Sequence, residues 1–244
     1  MPPNNTGPPV PPQLDSTVTG HPLPGDTPRI PLAFERYPEE EMRRRANAFY
    51  KTLNGRRSVR FFSDRPIPLD VVRRAIHTAG TAPSGAHKQP WQFVLVTDTD
   101  LKRKIRIAAE AEERKTYRHR MSEEWRAALR PIGTDWHKPF LETAPALVIV
   151  FRRDFDLLPD QTRQKNYYVQ ESVGIASGML IAALHNAGLA TLTHTPSPMG
   201  FLAQLLDRPP NERAYLLLPV GYPTQDCLVP DFQRKALSDI LIER

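Results

Sequence analysis

Arg56, Arg57, Ser58 and Arg60 put three guanidiniums and a hydroxyl into five consecutive residues. Arginine offers a planar fork of donors that matches phosphate oxygens, and serine adds another, so RRSVR has the composition of an anion cradle. Taken alone, it reads more readily as a solvated basic turn. In APSGAHKQPW, residues 82–91, small side chains let a ligand lie against the backbone and meet donors such as the Ala86 amide. Glu113 and Lys138 carry charges suited to an α-ammonium and an α-carboxylate, and Tyr117 adds a hydroxyl on an aromatic wall. Without further context these three are residues of a charged surface helix and its surroundings. Ser58 and Ser84 have no visible His/Asp relay to activate them and read as ligands, not nucleophiles. One cysteine, Cys227, and seven scattered His without CxxC or HxxxH spacing suggest neither an intrachain disulfide nor a metal site.

The elements that would position these residues follow from local pattern. Pro38 with Glu39, Glu40 and Glu41 opens a helix carrying Met42, Ala46, Phe49, Tyr50 and Leu53, with Gly55 as its stop. A second helix is predicted from Pro68 to Thr78 and ended by Gly80. Trp91–Thr97, Ala146–Phe151, Leu189–Thr193 and Tyr215–Val220 read as strands. Residues 100–130 form a charged helical stretch broken around Tyr117–Ser122, read as solvated cover. Residues 167–187 form a helix whose Gly174, Ala176, Ser177, Gly178, Ala182 and Ala183 allow close approach of a neighbour, and Phe201–Leu206 a short one. The interleaving lacks the βαβ period and has no GxGxxG after the first strand, which disfavours a dinucleotide-binding unit and predicts an α+β sandwich.

The chain's 244 residues, 40% hydrophobic and 25% charged, suit one large globular domain or two small ones and exclude collagen, coiled coil and membrane channel. Ten of the first 31 residues are proline, so residues 1–34 read as a Pro-rich flexible arm and 35–244 as the folded domain. The start MPPNNTGPPVPP has neither a basic segment nor an apolar run and is not read as a secretory signal. The long uncharged segment 172–206 is interrupted by Asn186, Gly188 and a TPSP turn, too broken to span a bilayer. No membrane partner and a reducing, cytoplasmic setting are expected. The net charge of +6 allows anionic partners, but no Lys/Arg block is interleaved with aromatics, so no nucleic-acid surface is expected.

RRSVRFF followed by AGTAPSGAHKQPW resembles the nitroreductase-fold flavoproteins, and within them most closely the iodotyrosine deiodinases. EERKTYRHRM, TDWHK, NAGLATLTHTP, LLPVGYP and VPDFQRK extend the similarity from Arg56 to about Lys235. The resemblance implies a mostly antiparallel central sheet flanked by helices, with FMN at a homodimer interface. It implies that Arg56, Arg57, Ser58, Arg60 and Arg234 contact the phosphate and ribityl chain, and that Pro83 and Ser84 approach from the neighbouring subunit. Thr193 and Thr195 fall at flavin-contacting positions, the hydroxyl of Thr195 on the reactive ring nitrogen. His194 stands where the resemblance leads one to expect threonine, and a ring there could alter potential or proton supply.

The matches to Glu113, Tyr117 and Lys138 imply a lid over the flavin that grips an amino acid zwitterion, with Ala86 holding the phenolic oxygen of the substrate. The implied activity is reductive removal of halide from a halotyrosine or halophenol, with electrons from a reductase or NAD(P)H. An NAD(P)H-dependent nitroreductase or flavin reductase of the same fold is the alternative enzyme. A flavin-consuming enzyme of cobamide ligand synthesis is disfavoured by the zwitterion set. A flavin-binding regulatory module without turnover is the alternative of another class, its Pro-rich arm recruiting a partner.

Overall fold

The computed structural model describes residues 29–244, so most of the arm expected over residues 1–34 lies outside the described residues. Two compact units divide at Met42 and Arg43, the second reaching Arg244. In chain order the elements are α1 (Glu39–Asn54), α2 (Leu69–Ala79), β1 (Trp91–Val96), α3 (Thr99–Lys115), α4 (Glu123–Leu129), α5 (Phe140–Thr143), β2 (Ala146–Arg153), β3 (Phe155–Leu157), β4 (Arg163–Lys165), α6 (Val169–Asn186), β5 (Ala190–Thr191), α7 (Gly200–Leu205) and β6 (Glu212–Gly221).

Local chemistry accounts for the ends of the helices. Glu39, Glu40 and Glu41 occupy the first turn of α1, where acids complement the helix dipole. Asp98 caps α3 by accepting from the Leu101 N–H at 2.7 Å, and Ser122 caps α4 by accepting from the Trp125 N–H at 3.1 Å. After α6, Gly188 takes a left-handed φ of 82°, and the Leu189 N–H returns to the Leu184 carbonyl at 2.9 Å.

The sheet runs β1-β2-β6-β5, antiparallel throughout. Alternate residues of β2 and β6 face two different cores. Ala146, Val148, Val150, Leu216, Leu218 and Val220 pack with α2 and α6, through Val72, Ala75, Val173 and Leu180. Leu147, Ile149, Phe151 and Leu217 pack against α3, α5 and α7, through Ile105, Leu141 and Leu202. Because helices cover both faces, β2 is a continuous apolar run and not an alternating one. Each fully buried Leu or Ile in these layers contributes about 1.5–3 kcal/mol of hydrophobic stabilisation.

The structure departs from the sequence-based expectation in three places. The strand expected over Leu189–Thr193 is only Ala190–Thr191, and pairing resumes where His194 and Leu217 exchange backbone bonds of 2.9 and 3.0 Å. The gap lies opposite Pro219, which has no N–H to give the ladder. The β3–β4 hairpin was not anticipated, because three-residue strands of charged and mixed sequence carry no apolar alternation. The charged stretch 100–130 is more than solvated cover: it buries Ile105 and Ala109 in α3, breaks in a π turn over Thr116–Arg120, and sends α4 back across a cavity. Among the described residues no helix is long and apolar enough to cross a membrane.

Candidate active site

The segment Arg56–Arg60 leaves α1 in extended form and lies alongside β5, the Val59 N–H donating to the Thr191 carbonyl at 3.1 Å. Burial of Val59 and Phe62 anchors it and leaves the arginines and Ser58 half-buried at the surface. The C-terminal chain returns beside the same segment, with the Thr224 N–H on the Phe61 carbonyl at 3.0 Å, and brings Arg234 back to the end of α1. There Arg57 donates to the Asn54 carbonyl at 2.7 Å, and Arg234 donates to the same carbonyl at 2.9 Å and to that of Arg56 at 2.7 Å. The carbonyls at the negative end of α1 thus aim two guanidiniums.

Arg56, Arg57, Ser58, Arg60 and Arg234 line one cavity of about 250 Å³. Among the described residues none of these arginines has a carboxylate partner. Burial and then the neighbouring charges of Arg234 and Arg57 push the Arg56 guanidinium below its ordinary pKa. Cations crowded together without an acid leave room for one thing that lowers the energy of all of them, an anion with several oxygens. A flavin phosphate fits.

A second cavity of about 230 Å³ adjoins the first, with Arg60 in both walls. Glu113, Tyr117 and Lys138 line it opposite Thr193, His194 and Thr195. Glu113 falls on the helical stripe of Ile105 and Ala109, eight and four residues before it, so the fold carries a carboxylate where an apolar residue would pack. Its side chain is 14% exposed and that of Lys138 4%, and their charged atoms lie 3.8 Å apart. Burial raises the Glu113 carboxyl above its usual range, against the pull of Lys138; burial also lowers the Lys138 ammonium, against the pull of Glu113. Lys138 further donates to Thr134 Oγ1 at 3.2 Å and to the Asp135 carbonyl. Tyr117 sits in the π turn, its hydroxyl donating to the Thr134 carbonyl at 3.2 Å and its own carbonyl accepting from Arg126. Arg114 stacks over Trp136 at 4.0 Å and steadies the loop that delivers Lys138.

Among the wall residues that sequence reasoning missed are Met121, Trp125 and Leu129. Trp125 and Leu129, four apart in α4, share one helix face, a signal masked by the surrounding charges, while Met121 precedes the helix in extended backbone. His194 is buried, 7% exposed, with its ring edge-on to Phe140 at 5.6 Å. Burial, then Lys138, then Arg60 hold its pKa down to about 3, so the ring is neutral and supplies no proton as a cation near pH 7.

Pro83, Ser84 and Ala86 line neither cavity of this chain. Their loop is held from within, the Gln89 N–H on Ser84 Oγ at 2.9 Å and the Gly85 N–H on Ser172 Oγ at 3.4 Å. Gly85 abuts Tyr168, whose ring carbon would lie 2.7 Å from an added Cβ. Ala86, His87 and Gln89 all adopt positive φ, at 49°, 54° and 48°. Non-glycine residues in that region cost about 1 kcal/mol or more each, so the loop stores strain where Ala86 and Pro83 are exposed.

The sequence model of the Nitroreductase family matches residues 53–222. An iodotyrosine deiodinase of Haliscomenobacter hydrossis is 57% identical over 213 residues, covering 87% of this chain and 96% of that one. Iodotyrosine deiodinase 1 of Mus musculus is 48% identical, over 87% of this chain and 75% of its own. A crystal structure of oxidised iodotyrosine deiodinase bound to FMN and 3-iodo-L-tyrosine superposes with a TM-score of 0.68 at 33% identity, covering 80% of this chain and 97% of that one. With a mixed α and antiparallel β architecture, an acid-free arginine cradle and a buried Glu/Lys pair beside it, this chain belongs to the nitroreductase family and, within it, to the iodotyrosine deiodinases.

Proposed function

We propose that the protein is an FMN-dependent oxidoreductase that removes halide reductively from halotyrosines. The observation that carries this reading is the buried Glu113–Lys138 pair beside the arginine cradle. An amino acid zwitterion bears the complementary charges, ammonium for Glu113 and carboxylate for Lys138, and can replace each partner of the pair with one of its own. Generic acceptors such as nitroaromatics have no use for either.

Arg56, Arg57, Ser58 and Arg234 would hold the flavin phosphate, and Arg60 stands between that cradle and the lid cavity. Thr193 and Thr195 lie on the cavity wall where the ring system would rest. FMN, when bound, supplies two electrons, which with one proton exchange the carbon–halogen bond for carbon–hydrogen and release halide. The chain's own part is to orient and enclose: Glu113 and Lys138 fix the zwitterion, Tyr117 walls the ring, and the π turn with α4 shuts out water. The Ala86 N–H, which reaches neither cavity of its own chain, would serve as donor for the phenolic oxygen in the site of the neighbouring subunit. Anaerobic mixing of the reduced protein with iodo-, bromo- and chlorotyrosine and with a nitroaromatic tests the reading. Rapid flavin reoxidation by the halotyrosines alone is expected. Reoxidation by the nitroaromatic alone points to a nitroreductase, and none by any acceptor to a module without turnover. The electrons come from a reductase or NAD(P)H, in a cytoplasmic setting, to which the unpaired Cys227 is suited.

The pH dependence has a definite sign. Because burial raises Glu113 above its usual 4.5, the preference for iodotyrosine over iodophenol should be complete near neutrality and fall as the pH drops through a value above 4.5. The ratio of the two dissociation constants, titrated by flavin fluorescence, checks this; a ratio constant down to 4.5 contradicts it.

The working unit in this proposal is a homodimer with FMN between subunits. Its support is that the loop of Pro83, Ser84 and Ala86 reaches neither cavity of its own chain, and that Phe49, Tyr50 and Ile175 stand exposed. A Cβ built on Gly178 meets nothing within 4 Å, leaving the flank of α6 open to a neighbour. Light scattering should find a dimer wherever FMN is bound, and a flavin-loaded monomer at low micromolar concentration would refute it. Removing residues 1–30 should leave the FMN stoichiometry unchanged.

A further inference from the structure

His194 lines the lid cavity, and the dehalogenation reading does not use its chemistry. Its ring is buried, and Nε2 has no hydrogen-bond partner among the described residues. A buried polar atom left in that state costs about 1–3 kcal/mol, so native proteins keep one where a partner arrives in the working state. The cations whose fields reach the ring are Lys138 and Arg60, and both share its cavity. Lys138 already donates to Thr134 Oγ1 and to the Asp135 carbonyl and pairs with Glu113 at 3.8 Å. Arg60 has no side-chain hydrogen bond and no carboxylate among the described residues. An acceptor without a donor and a fork of donors without an acceptor thus line the same cavity.

We propose that His194 is a positioning residue for Arg60: its neutral Nε2 accepts one guanidinium N–H and aims the rest of the fork at the bound flavin. The choice of imidazole has a physical reason. A carboxylate at this position would orient Arg60 equally well but would cancel its charge, and that of Lys138 beside it. A neutral ring orients the cation and leaves its field intact for the anionic groups of flavin and substrate. The threonine expected at this position carries its hydroxyl on Cβ and has a shorter reach. The proposal rests on the FMN reading of the cradle.

Three substitutions separate orientation, charge and packing. His194→Gln keeps a neutral acceptor, His194→Leu removes it, and His194→Glu keeps the acceptor but adds a negative charge. In the FMN-loaded protein, His194→Leu should weaken FMN binding about tenfold and lower the midpoint potential, because an unaimed Arg60 stabilises reduced flavin less. His194→Glu should lower the potential further with less loss of affinity, and His194→Gln should stay within about twofold of the parent. In an Arg60→Met background, His194→Leu should cause no additional loss. Side-chain ¹⁵N spectra of the parent should show Nδ1 protonated and Nε2 bare. A protonated Nε2, equal behaviour of the Gln and Leu variants, or additive losses with Arg60→Met would overturn the proposal. Should the Leu variant not fold, the Gln/Glu difference in potential and the ¹⁵N spectrum still decide it. A parent protein that holds no FMN overturns the flavin reading and this one together, whereas an FMN-loaded parent that fails the tests above overturns only the role of His194.

Discussion

Glu113→Gln should raise the dissociation constant for iodotyrosine by about 30-fold or more, on the order of 2 kcal/mol, while iodophenol stays within about twofold. Glutamine preserves the shape of the side chain on the α3 stripe, so α3 and its packing through Ile105 and Ala109 persist. What disappears is the charge. Lys138, 4% exposed and 3.8 Å from the carboxylate, then lacks its compensating partner in the free protein, and the substrate ammonium lacks one in the complex. Removing one member of a buried pair is costly because the other remains buried. Iodophenol brings no ammonium and never engages Glu113, so it serves as the internal control. Lys138→Ala should show the same selectivity through the carboxylate. Titrations of FMN fluorescence with both ligands against parent and variants make the comparison, and equal losses for the two would show that the pair does not read the zwitterion.

Arg57→Ala should weaken FMN retention by about 10- to 150-fold, the 1.5–3 kcal/mol of a charge-assisted hydrogen bond. The stability of the FMN-free protein should move by no more than about 0.5 kcal/mol. The two effects separate because the arginines of the cradle repel one another: Arg234 and Arg57 both depress Arg56, and among the described residues no acid relieves them. Deleting one removes repulsion in the empty cradle and attraction in the filled one. The Asn54 carbonyl that Arg57 leaves still accepts from Arg234, so no buried acceptor is stranded. Arg57→Lys should recover only part of the loss, since an ammonium carries the charge without the fork. Dialysis followed by FMN absorbance, together with thermal unfolding of the FMN-free protein, measures both. Stoichiometric FMN in Arg57→Ala after dialysis would displace Arg57 from the cradle.

Much of the molecule was legible from local pattern. β1, β2 and β6 coincide with the apolar, β-branched runs, and α2, α6 and α7 with helical spacing, within one to three residues at their ends. The break in the charged stretch fell at the π turn because the caps and charges there interrupt any single helix. The β3–β4 hairpin and the shortening of β5 were not legible, since one depends on pairing of short polar strands and the other on Pro219 in a different strand. Among the site residues, the Arg56–Arg60 part of the cradle was visible as a cluster because its arginines are near neighbours in the chain, whereas Arg234 was not. Trp125 and Leu129 were hidden because their apolar face on α4 is embedded in charge.

Residue type and short-range spacing were enough to determine the α+β layout, the cluster of Arg56, Arg57 and Arg60 and the opposite charges of Glu113 and Lys138, because those are properties of single side chains and near neighbours. The tertiary structure alone decided which of them meet. It returned Arg234 to the end of α1, buried Glu113 against Lys138, and neutralised His194 between two cations. It also left Ala86 away from both cavities of its own chain. Each of these depends on burial and on contacts between residues far apart in the chain, and burial is what turns an ordinary surface Glu, Lys or His into a group whose charge state matters.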